Sequence, residues 1–459
     1  MERARATRDA RSDDVVQDPA SPAVAPKTER LSMGDAQPSL AEFTRACFKI
    51  GCLGFGGPAG QIALMHRIFV DEKKWIDKRR YLAALNYCML LPGPEAQQLA
   101  TYVGWLLHGV KGGVIAGLLF VLPGAFVVFA LSWLYVFAIH APLVAAAFFG
   151  IKAAVFALVV EALWRIGRRA LEHRAAWAIA VASFGALFFA QAPFPLVVSA
   201  GGAAGLLFVR APHDEETAPI ETPSTARAFA SAAIWGAAWL APLGLSFALL
   251  GPTHVLTEVG RLFSTLALVT FGGAYATLAY LQQQAVDVHA WLTPAQMIDG
   301  LGLAETTPGP LVLVNQFVGF IAGWQAEGLL LAIAAAAMAS WCTFAPSFVW
   351  IFAGAPYAER LRASALAQAA LAGITAAVLG VIANLSIWFA AHVLFANVTR
   401  APIGPGLSTL WPAWATLDPY AFALAAIAAF ALFRLKIGVV WLVLGSAAAG
   451  VALSLAGLN

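Results

Sequence analysis

The residues with the clearest potential for chemistry are glycines and prolines that interrupt apolar segments. Two such breaks are Gly56-Gly57 and Pro92-Gly93-Pro94. Glycine opens backbone conformations closed to other residues, and proline removes a hydrogen-bond donor, so each break ends a helix. A helix that restarts inside a membrane presents free backbone N–H groups and the positive end of its dipole. The breaks therefore predict a binding site for an anion.

Two further breaks, Gly272-Gly273 and Pro308-Gly309-Pro310, repeat this pattern later in the chain. An inverted two-fold relation would bring all four breaks together near the middle of the membrane. The alternative is that the glycines only allow close helix packing and the prolines only kink helices. We count as further candidate substrate-binding residues the following neighbours of the breaks: Pro58, Gln61, Glu95, Gln98, Thr307 and Asn315.

Basic side chains at membrane depth would complete an anion site. Lys152 stands near the middle of an apolar run, where an ionisable group is costly and therefore indicates function. Arg45 and Arg261 precede the two glycine breaks and are candidates for the same role. The alternative for these arginines is a salt pair with Glu42 and Glu258, three residues earlier on each helix.

The composition indicates the kind of element that positions these residues. The chain has 459 residues, of which 60% are hydrophobic and 12% charged, and its mean hydropathy is +0.76. Soluble proteins carry about 45–50% apolar and about 25% charged residues. The apolar runs are continuous rather than alternating, which excludes a β-barrel. We therefore predict an all-α polytopic membrane protein with about 10–14 membrane segments of roughly 20 residues each.

The chain contains an internal duplication. Phe271-Gly272-Gly273 repeats Phe55-Gly56-Gly57 at an offset of 216 residues (271 − 55 = 216). Agreement of several features at one ungapped offset predicts two homologous halves. The same offset aligns Glu42 with Glu258, Arg45 with Arg261, Val70-Asp71 with Val286-Asp287, Trp75 with Trp291, and Pro92-Gly93-Pro94 with Pro308-Gly309-Pro310.

Changes in composition along the chain predict five regions. A polar, arginine-containing tail without the apolar core of a signal peptide is expected to be disordered and cytoplasmic. The two repeats flank an acidic, proline-containing linker and one unmatched apolar helix. The predicted boundaries are residues 1–39 for the tail, 40–209 for the first repeat, 210–227 for the linker, 228–255 for the connecting transmembrane helix and 256–459 for the second repeat.

The distribution of charge predicts that the two repeats are inverted. One unmatched crossing between the halves would turn the second half upside down. The loop at residues 73–80 carries five Lys and Arg residues, whereas its repeat at residues 287–296 carries no Lys or Arg. Under the positive-inside rule only the first loop is cytoplasmic. Inverted repeats with broken helices are typical of secondary transporters.

The segment Leu82–Leu107 is predicted to form a re-entrant hairpin. Arg79 and Arg80 precede this segment and Lys111 follows it, yet its length suffices for only one crossing. A hairpin that enters and leaves on one side resolves the conflict, with its turn at the proline-glycine-proline break. The phenylalanine-glycine-glycine break is expected to act in the same way. Such backbone is tolerated at membrane depth only where protein buries it or a cavity adjoins it.

Signatures of other function classes are absent from the sequence. It contains no H-E-x-x-H, P-loop or G-x-S-x-G motif, which argues against an enzyme. The four cysteines have no C-x-x-C spacing, so neither a metal site nor a disulfide framework is expected. No cofactor is predicted. The sequence has no basic groove with interleaved aromatic residues, so nucleic acid is not an expected partner.

The motifs around the breaks resemble the chromate ion transporter family of the long-chain, two-domain bacterial type. They read F-G-G-P-A-G-Q at 55–61 and L-P-G-P-E-A-Q-Q-L-A at 91–100, with degenerate copies F-G-G-A-Y at 271–275 and T-P-G-P-L at 307–311. The resemblance covers both halves, from about residue 40 to the C-terminus. The family signature falls on Phe55, Gly56, Gly57, Pro58, Gly60, Gln61, Pro92, Gly93, Pro94, Glu95 and Gln98, and in the second half on Phe271, Gly272, Gly273, Pro308, Gly309 and Pro310.

This resemblance implies a multi-pass protein of the bacterial inner membrane that exports chromate, a tetrahedral dianion similar to sulfate, and confers chromate resistance. The second copy has Ala274 in place of Pro58 and Leu311 in place of Glu95, so the halves are not expected to be interchangeable. The expected mechanism is alternating access between the two inverted repeats. The expected partners are chromate, with sulfate as competitor, the lipid bilayer and, as one option, a second copy in a homodimer.

Two alternatives to chromate export stay open at this point. The first is another oxyanion carrier on the same scaffold, with sulfate as the leading candidate because it shares size, charge and geometry with chromate. The second is a membrane-embedded enzyme that acts on a lipid or reduces chromate. That reading needs a cofactor site, which the scattered cysteines do not supply.

Overall fold

The computed structural model describes residues 38–458, apart from residue 172, residues 210–224, residue 272 and residues 358–363. The predicted tail and linker therefore lie mostly outside the described residues, and their boundaries stay predictions. The first half contains α1 (Leu40–Leu53), α2 (Gly57–His66), α3 (Lys78–Cys88), α4 (Glu95–Ala138), α5 (Pro142–Ala170), α6 (Arg174–Phe188) and α7 (Phe194–Phe208).

The connecting helix α8 spans Thr225–Leu250. The second half contains α9 (Val255–Val269), α10 (Ala274–Gln282), α11 (Pro294–Thr306), α12 (Val314–Glu327), α13 (Leu329–Phe344), α14 (Pro346–Gly354), α15 (Ala365–Leu394), α16 (Pro419–Phe433) and α17 (Val439–Leu455). A two-stranded antiparallel hairpin, β1 (Val398–Gly404) and β2 (Leu407–Pro412), lies between α15 and α16. Apart from this hairpin the described secondary structure is helical, which confirms the all-α fold class.

The long apolar helices are those expected of a polytopic membrane protein. Five helical stretches are long and apolar enough to cross a membrane: Glu95–Ala138, Pro142–Arg168, Thr225–Leu250, Leu329–Gly354 and Ala365–Leu394. Four shorter apolar helices, α6, α7, α16 and α17, add to these stretches. Together with the broken hairpins described below, they agree with the predicted range of membrane segments.

The duplication read from the sequence recurs in the local structure of the two halves. Both α2 and α10 continue into one π-helical turn, at Arg67–Glu72 and Gln283–Val288, which are separated by the same offset as the breaks. Both α3 and α11 begin after a residue whose side chain caps the helix. Asp77 accepts a hydrogen bond from the Arg80 N–H, and Thr293 accepts one from the Gln296 N–H. The halves therefore share both their breaks and their helix starts.

The broken segments form re-entrant hairpins, as predicted. The rings of Tyr87 on α3 and Tyr102 on α4 lie 5.7 Å apart, so the two helices run side by side from the proline-glycine-proline turn. In the first hairpin, the Phe43 ring near the start of α1 lies 6.2 Å from the Phe69 ring after α2. The two ends of each hairpin therefore return to one face.

Charged side chains tie the outer ends of these hairpins together. The Lys73 Nζ lies 2.7 Å from Glu42 Oε1, and at the equivalent place the His289 Nδ1 lies 3.6 Å from Glu258 Oε2. The predicted pairs of these glutamates with Arg45 and Arg261 are therefore not formed. They fail because the loop after the π turn folds back over the helix start and supplies a nearer partner, a lysine in the first half and a histidine in the second. Burial, reinforced by Arg261, lowers the pKa of His289 despite the opposing effect of Glu258, so the imidazole is neutral at pH 7.

Helix α4 shows that the two halves are inverted. It is interrupted at His108 and Gly109, whose backbone is not helical, and residues 110–138 then run for about 43 Å. At the interruption the His108 ring lies 5.2 Å from Phe43, at the outer end of the first-half hairpins. At the far end the Phe137 ring lies 5.4 Å from Trp324, at the outer end of a second-half hairpin. The hairpins of the two halves therefore enter from opposite ends of α4.

We call the side of the basic loop at residues 73–80 the basic face and the side of residues 287–296 the opposite face. The connecting helix α8 runs between them. Its Trp235 ring lies 4.9 Å from Phe352, which itself packs against Gly113 close to the basic face. Its Ser246 hydroxyl lies 2.7 Å from the Thr257 hydroxyl at the start of α9. This one extra crossing is what inverts the second half.

The last two helices of each half pack on the other half. Helices α6 and α7 lie on α15, and α16 and α17 lie on α5. Where these helices cross, a glycine of one helix contacts a glycine of the other. Gly205 of α7 lies against Gly373 of α15, and Gly450 of α17 lies against Gly150 of α5. A Cβ on any of the four would collide with backbone atoms of the partner helix. Small residues at such crossings let helices approach closely in a membrane.

The inversion predicts cysteine labelling from opposite sides. Lys74 and Ala290 are exposed residues at equivalent positions of the two halves, both with positive φ. In a background without the native cysteines, Lys74→Cys should react with a membrane-impermeant maleimide in everted vesicles, and Ala290→Cys should react in intact spheroplasts. Labelling of both from one side would contradict the inverted arrangement.

The glycine crossings predict a local loss of stability on substitution. We expect Gly373→Val to lower the free energy of unfolding by about 1–3 kcal/mol or more, because the added side chain meets backbone that cannot withdraw. The matched control is Gly185→Val on α6, since no atom lies within 4 Å of a Cβ at that position. Thermal unfolding in detergent measures both variants. Equal losses would mean that the close crossing is not the cause.

Candidate anion-binding site

The four breaks meet in the interior as two reciprocal pairs. The Gly93 N–H donates to the Thr270 carbonyl at 2.9 Å, and the Gly309 N–H donates to the Gly54 carbonyl at 3.0 Å. Thr270 and Gly54 occupy equivalent positions of the two halves, as do Gly93 and Gly309. The second break of each half is therefore bound to the first break of the other half. This arrangement brings the four predicted elements together.

Glycine is required at the two donor positions. Gly93 has φ +108° and Gly309 has φ +98°, in a region that residues with a Cβ rarely adopt. Gly124, near the middle of the long part of α4, lies so close to Pro308 that a Cβ there would collide with the Pro308 carbonyl. This contact places the meeting point about halfway along a helix that crosses between the two faces.

A small cavity lies between the starts of α2, α4 and α10 and the turn that precedes α12. Its free volume is about 20 Å³, which is enough for one water molecule. Three helix starts and a fourth turn border it, and a helix start carries free backbone N–H groups and the positive end of the helix dipole. The lining residues are Pro58, Gln61, Gly93, Pro94, Glu95, Ala96, Thr270, Gly273, Ala274, Thr277, Pro310, Leu311 and Val312.

Gln61 joins two of the breaks directly. Its Nε2 donates to the Gly54 carbonyl at 3.1 Å and to the Gly309 carbonyl at 2.6 Å, so one amide bridges both halves. The side chain is fully buried, and its Oε1 has no hydrogen-bond partner among the described residues. At the equivalent position of the second half, Thr277 donates only to the Thr270 hydroxyl, at 3.2 Å.

The carboxyl group of Glu95 lies at the first residue of α4 and borders the cavity. Among the described residues, no cation or hydrogen-bond donor contacts its side chain. Acidic residues are stabilised at a helix start, and three further chain segments border the same space. The dipole of α4 therefore favours a negative charge on Glu95.

The other predicted residues near the breaks have structural partners and do not line the cavity. Gln98 donates to the Pro92 carbonyl at 2.7 Å, and Thr307 donates to the Ala304 carbonyl at 3.1 Å. Asn315 donates to the Thr343 hydroxyl at 3.0 Å, which ties α12 to α13. Gly272 lies outside the described residues. Eight predicted residues lie in the turns or next to them but do not line the cavity: Gly56, Gly57, Pro92, Gln98, Thr307, Pro308, Gly309 and Asn315.

Lys152 lies in a second pocket of about 480 Å³ on the side of the opposite face. Its Nζ is 3.4 Å from Asp299 Oδ1, and the Tyr135 hydroxyl donates to Asp299 Oδ2 at 2.9 Å. Asp299 is almost fully buried, whereas Lys152 is partly exposed to the pocket. The structure therefore separates Lys152 from the breaks and gives it a carboxylate partner.

The predicted arginines also lie away from the cavity. Arg45 and Arg261 are exposed near the outer starts of α1 and α9, and neither is among the cavity-lining residues. Arg261 borders a separate pocket of about 270 Å³ between α8 and α9. In the part of the chain that the structure describes, no Lys, Arg or His lines the central cavity. The positive potential there comes from the backbone.

The predictions from the sequence missed Thr270, Thr277 and Asp299. The comparison of the halves did not indicate Thr270 and Thr277, because their counterparts, Gly54 and Gln61, are different residue types. Asp299 faces Ala83 in the alignment of the halves, so the repeat gives no signal for it. Asp299 is an acidic residue without a counterpart in the first half, and Lys152 is a lysine in the middle of an apolar run. This combination is the signal that could have found the pair.

Among the described residues, no group of three or more His, Cys, Asp or Glu side chains is arranged to hold a metal ion. The four cysteines are present as free thiols, three of them buried.

Comparison with known proteins agrees with the duplication. A family model described as "Chromate transporter" matches residues 41–206 and 257–451. The chain is 34% identical over 341 residues to the "Chromate transport protein" of Pseudomonas aeruginosa, which covers 74% of this chain and 78% of that relative. It is 28% identical over 350 residues to a protein of the same name from Cupriavidus metallidurans, which covers 76% and 82%. No solved structure matches the chain.

The pair in the second pocket predicts a stability effect of its own. Lys152→Met should destabilise the protein by about 1–3 kcal/mol, because it leaves the buried Asp299 carboxylate without its cation. The double variant Lys152→Met with Asp299→Asn should recover part of this loss, since it removes the uncompensated charge. Thermal unfolding in detergent compares the unmodified protein, Lys152→Met, Asp299→Asn and the double variant. A double variant with the sum of both single losses would contradict the pairing.

Proposed function

Because the chain belongs to the chromate transporter family, we propose that it exports chromate across the bacterial inner membrane and so confers chromate resistance. The family is one of transporters, and the chain is a multi-pass membrane protein. The observation that carries the proposal is the meeting of four helix breaks halfway between the two faces, in two inverted halves. This is the arrangement that secondary transporters use for substrate sites.

The substrate is held by the backbone in this proposal. A tetrahedral dianion has four oxygen acceptors, and converging helix starts offer N–H donors from several directions. Because the described lining contains no basic side chain, the attraction is spread over dipoles rather than concentrated on one cation. Release then does not require a strong ion pair to be broken.

Binding requires the cavity to enlarge. A free volume of about 20 Å³ admits one water molecule but not an oxyanion of five heavy atoms. Alternating access supplies this opening, as the hairpins of one half separate from those of the other. Helices α5 and α15, locked to the exchanged terminal helices, form the frame against which the hairpins move.

The membrane potential favours export. The basic face is cytoplasmic under the positive-inside rule, which also places the N-terminal tail in the cytoplasm. Each charge that crosses the potential is worth about 2.3 kcal/mol per 100 mV, so a dianion leaving a negative interior gains about 4.6 kcal/mol per 100 mV. Outward chromate movement is therefore downhill in voltage.

Sulfate is the expected competitor. Backbone N–H groups recognise charge and shape, which sulfate and chromate share, and the described lining contains no group that distinguishes their central atoms. Transport of sulfate itself is the second candidate function. A homodimer stays a prediction.

The proposal predicts that a single methyl group at a break lowers transport. Gly93→Ala should reduce potential-driven chromate uptake into everted vesicles roughly tenfold, because alanine at this positive φ costs about 1–3 kcal/mol in strain and displaces the turn. Gly309→Ala should act in the same way. The matched control is Gly236→Ala on α8, where no atom lies within 4 Å of the added Cβ.

Excess sulfate in the same assay tests recognition by charge and shape. Chromate uptake that is insensitive to sulfate would exclude this form of recognition. Full uptake in folded Gly93→Ala and Gly309→Ala proteins would exclude the breaks as the transport site. The absence of chromate uptake in the unmodified protein under any gradient would overturn the function itself.

A further inference from the structure

We propose that the Glu95 carboxyl group is a proton-binding site in the central cavity and that one proton accompanies each oxyanion through the protein. This inference rests on the proposed function, since it names the coupling ion of the same site. It makes the protein a proton–oxyanion symporter rather than a carrier of the bare dianion.

The first support is that Glu95 has no charged partner in the cavity. The residues that the neighbouring elements contribute to the cavity lining are uncharged. Helix α2 contributes Pro58 and Gln61, the α9–α10 break contributes threonine, glycine and alanine, and the turn before α12 contributes Pro310, Leu311 and Val312. The Cys88 thiol at the end of α3 is a further titratable group that interacts with Glu95, and it carries no positive charge. In the described structure, a carboxylate at this position has no cation to neutralise it.

The second support is that the oxyanion and the Glu95 carboxylate would compete for the same positive helix starts. The helix starts that would attract an oxyanion also stabilise the Glu95 carboxylate, which begins one of those helices. A dianion and a carboxylate in one small cavity repel each other without a screening cation. The oxyanion therefore binds only when a proton has converted the carboxylate to the neutral acid. In the empty site the carboxylate itself takes the place of the anion.

The third support is an unused acceptor. The fully buried Gln61 lines the same cavity, and both hydrogens of its amide nitrogen are directed to carbonyl groups. Its Oε1 has no partner in the described structure. An amide oxygen accepts hydrogen bonds and cannot bind an anion, so it calls for a donor. The O–H of a protonated carboxyl group in the enlarged cavity is such a donor.

The two halves differ at this position, which fixes the number of protons. Leu311 is the counterpart of Glu95 at the offset of the halves and lines the same cavity. One carboxyl group therefore serves the whole site. In each cycle, one proton joins the Glu95 carboxylate as one dianion enters, and both leave on the other side. The net charge moved is one negative charge, so the membrane potential still drives export.

The experiment uses the full-length protein in proteoliposomes with labelled sulfate and labelled chromate as probes. Sulfate stays a dianion over the neutral and alkaline range, so its pH dependence reports on the protein. Affinity for sulfate should rise roughly tenfold for each unit by which the pH falls, as long as Glu95 is ionised in the empty protein. Glu95→Gln should bind sulfate with an affinity that does not change with pH.

The control is Glu305→Gln. Glu305 is another buried carboxyl group, but it accepts a hydrogen bond from Tyr275 at 2.8 Å and does not line the cavity. This variant should keep the pH dependence of the unmodified protein. A pH-sensitive dye inside the vesicles counts the protons that move with each oxyanion. We expect one in the unmodified protein and in Glu305→Gln, and none in Glu95→Gln.

The outcomes separate the two proposals. Oxyanion flux without proton movement in the unmodified protein would overturn the proton site and leave the transport function standing, and this measurement does not depend on how any variant folds. Retention of the full pH dependence in Glu95→Gln would also overturn it. Absence of sulfate and chromate flux at every pH would instead overturn the proposed function.

Discussion

The two hydrogen bonds between the breaks, from Gly93 to Thr270 and from Gly309 to Gly54, are the constraint on which the rest of the fold depends. A broken helix leaves backbone N–H and carbonyl groups without partners at membrane depth, where lipid offers none. Each half places an acceptor at its first break and a donor at its second break. The backbone donor of each half bonds to the backbone acceptor of the other half. The inverted arrangement of the halves is thus required for these two hydrogen bonds to form.

In the outer part of the molecule, too, each half packs on the other. Helices α6 and α7 of the first half pack on α15, and α16 and α17 of the second half pack on α5. The glycine pairs at these crossings bring backbones together where a larger residue would separate them. The breaks join the halves at the centre, and the terminal helices join them at the periphery. The two halves are therefore held together both next to the cavity and far from it. The connecting helix α8 makes this possible because it carries the chain back across.

The sequence was sufficient to predict the features that depend on local chemistry and on the offset between the halves. Proline, glycine and the basic residues at both ends of Leu82–Leu107 predicted a hairpin, and the structure has it. The pairing of Glu42 with Arg45 was wrong because it considered only neighbours on one helix, whereas Lys73 reaches Glu42 from a loop. The pairing of Lys152 with Asp299 and the exchange of terminal helices are contacts between distant segments. No periodicity or spacing encodes them.

The junctions between the breaks are equivalent in backbone but not in strength. Between Gly54 and Gly309, the Gln61 amide adds a second hydrogen bond across the halves to the bond between the backbones. Between Thr270 and Gly93, the counterpart Thr277 donates to Thr270 within its own half, so this junction has one hydrogen bond between the halves. Opening the second junction therefore breaks one bond where opening the first breaks two. Glu95 follows this weaker junction directly along the chain, so the neutral or charged state of its carboxyl group acts where separation costs least.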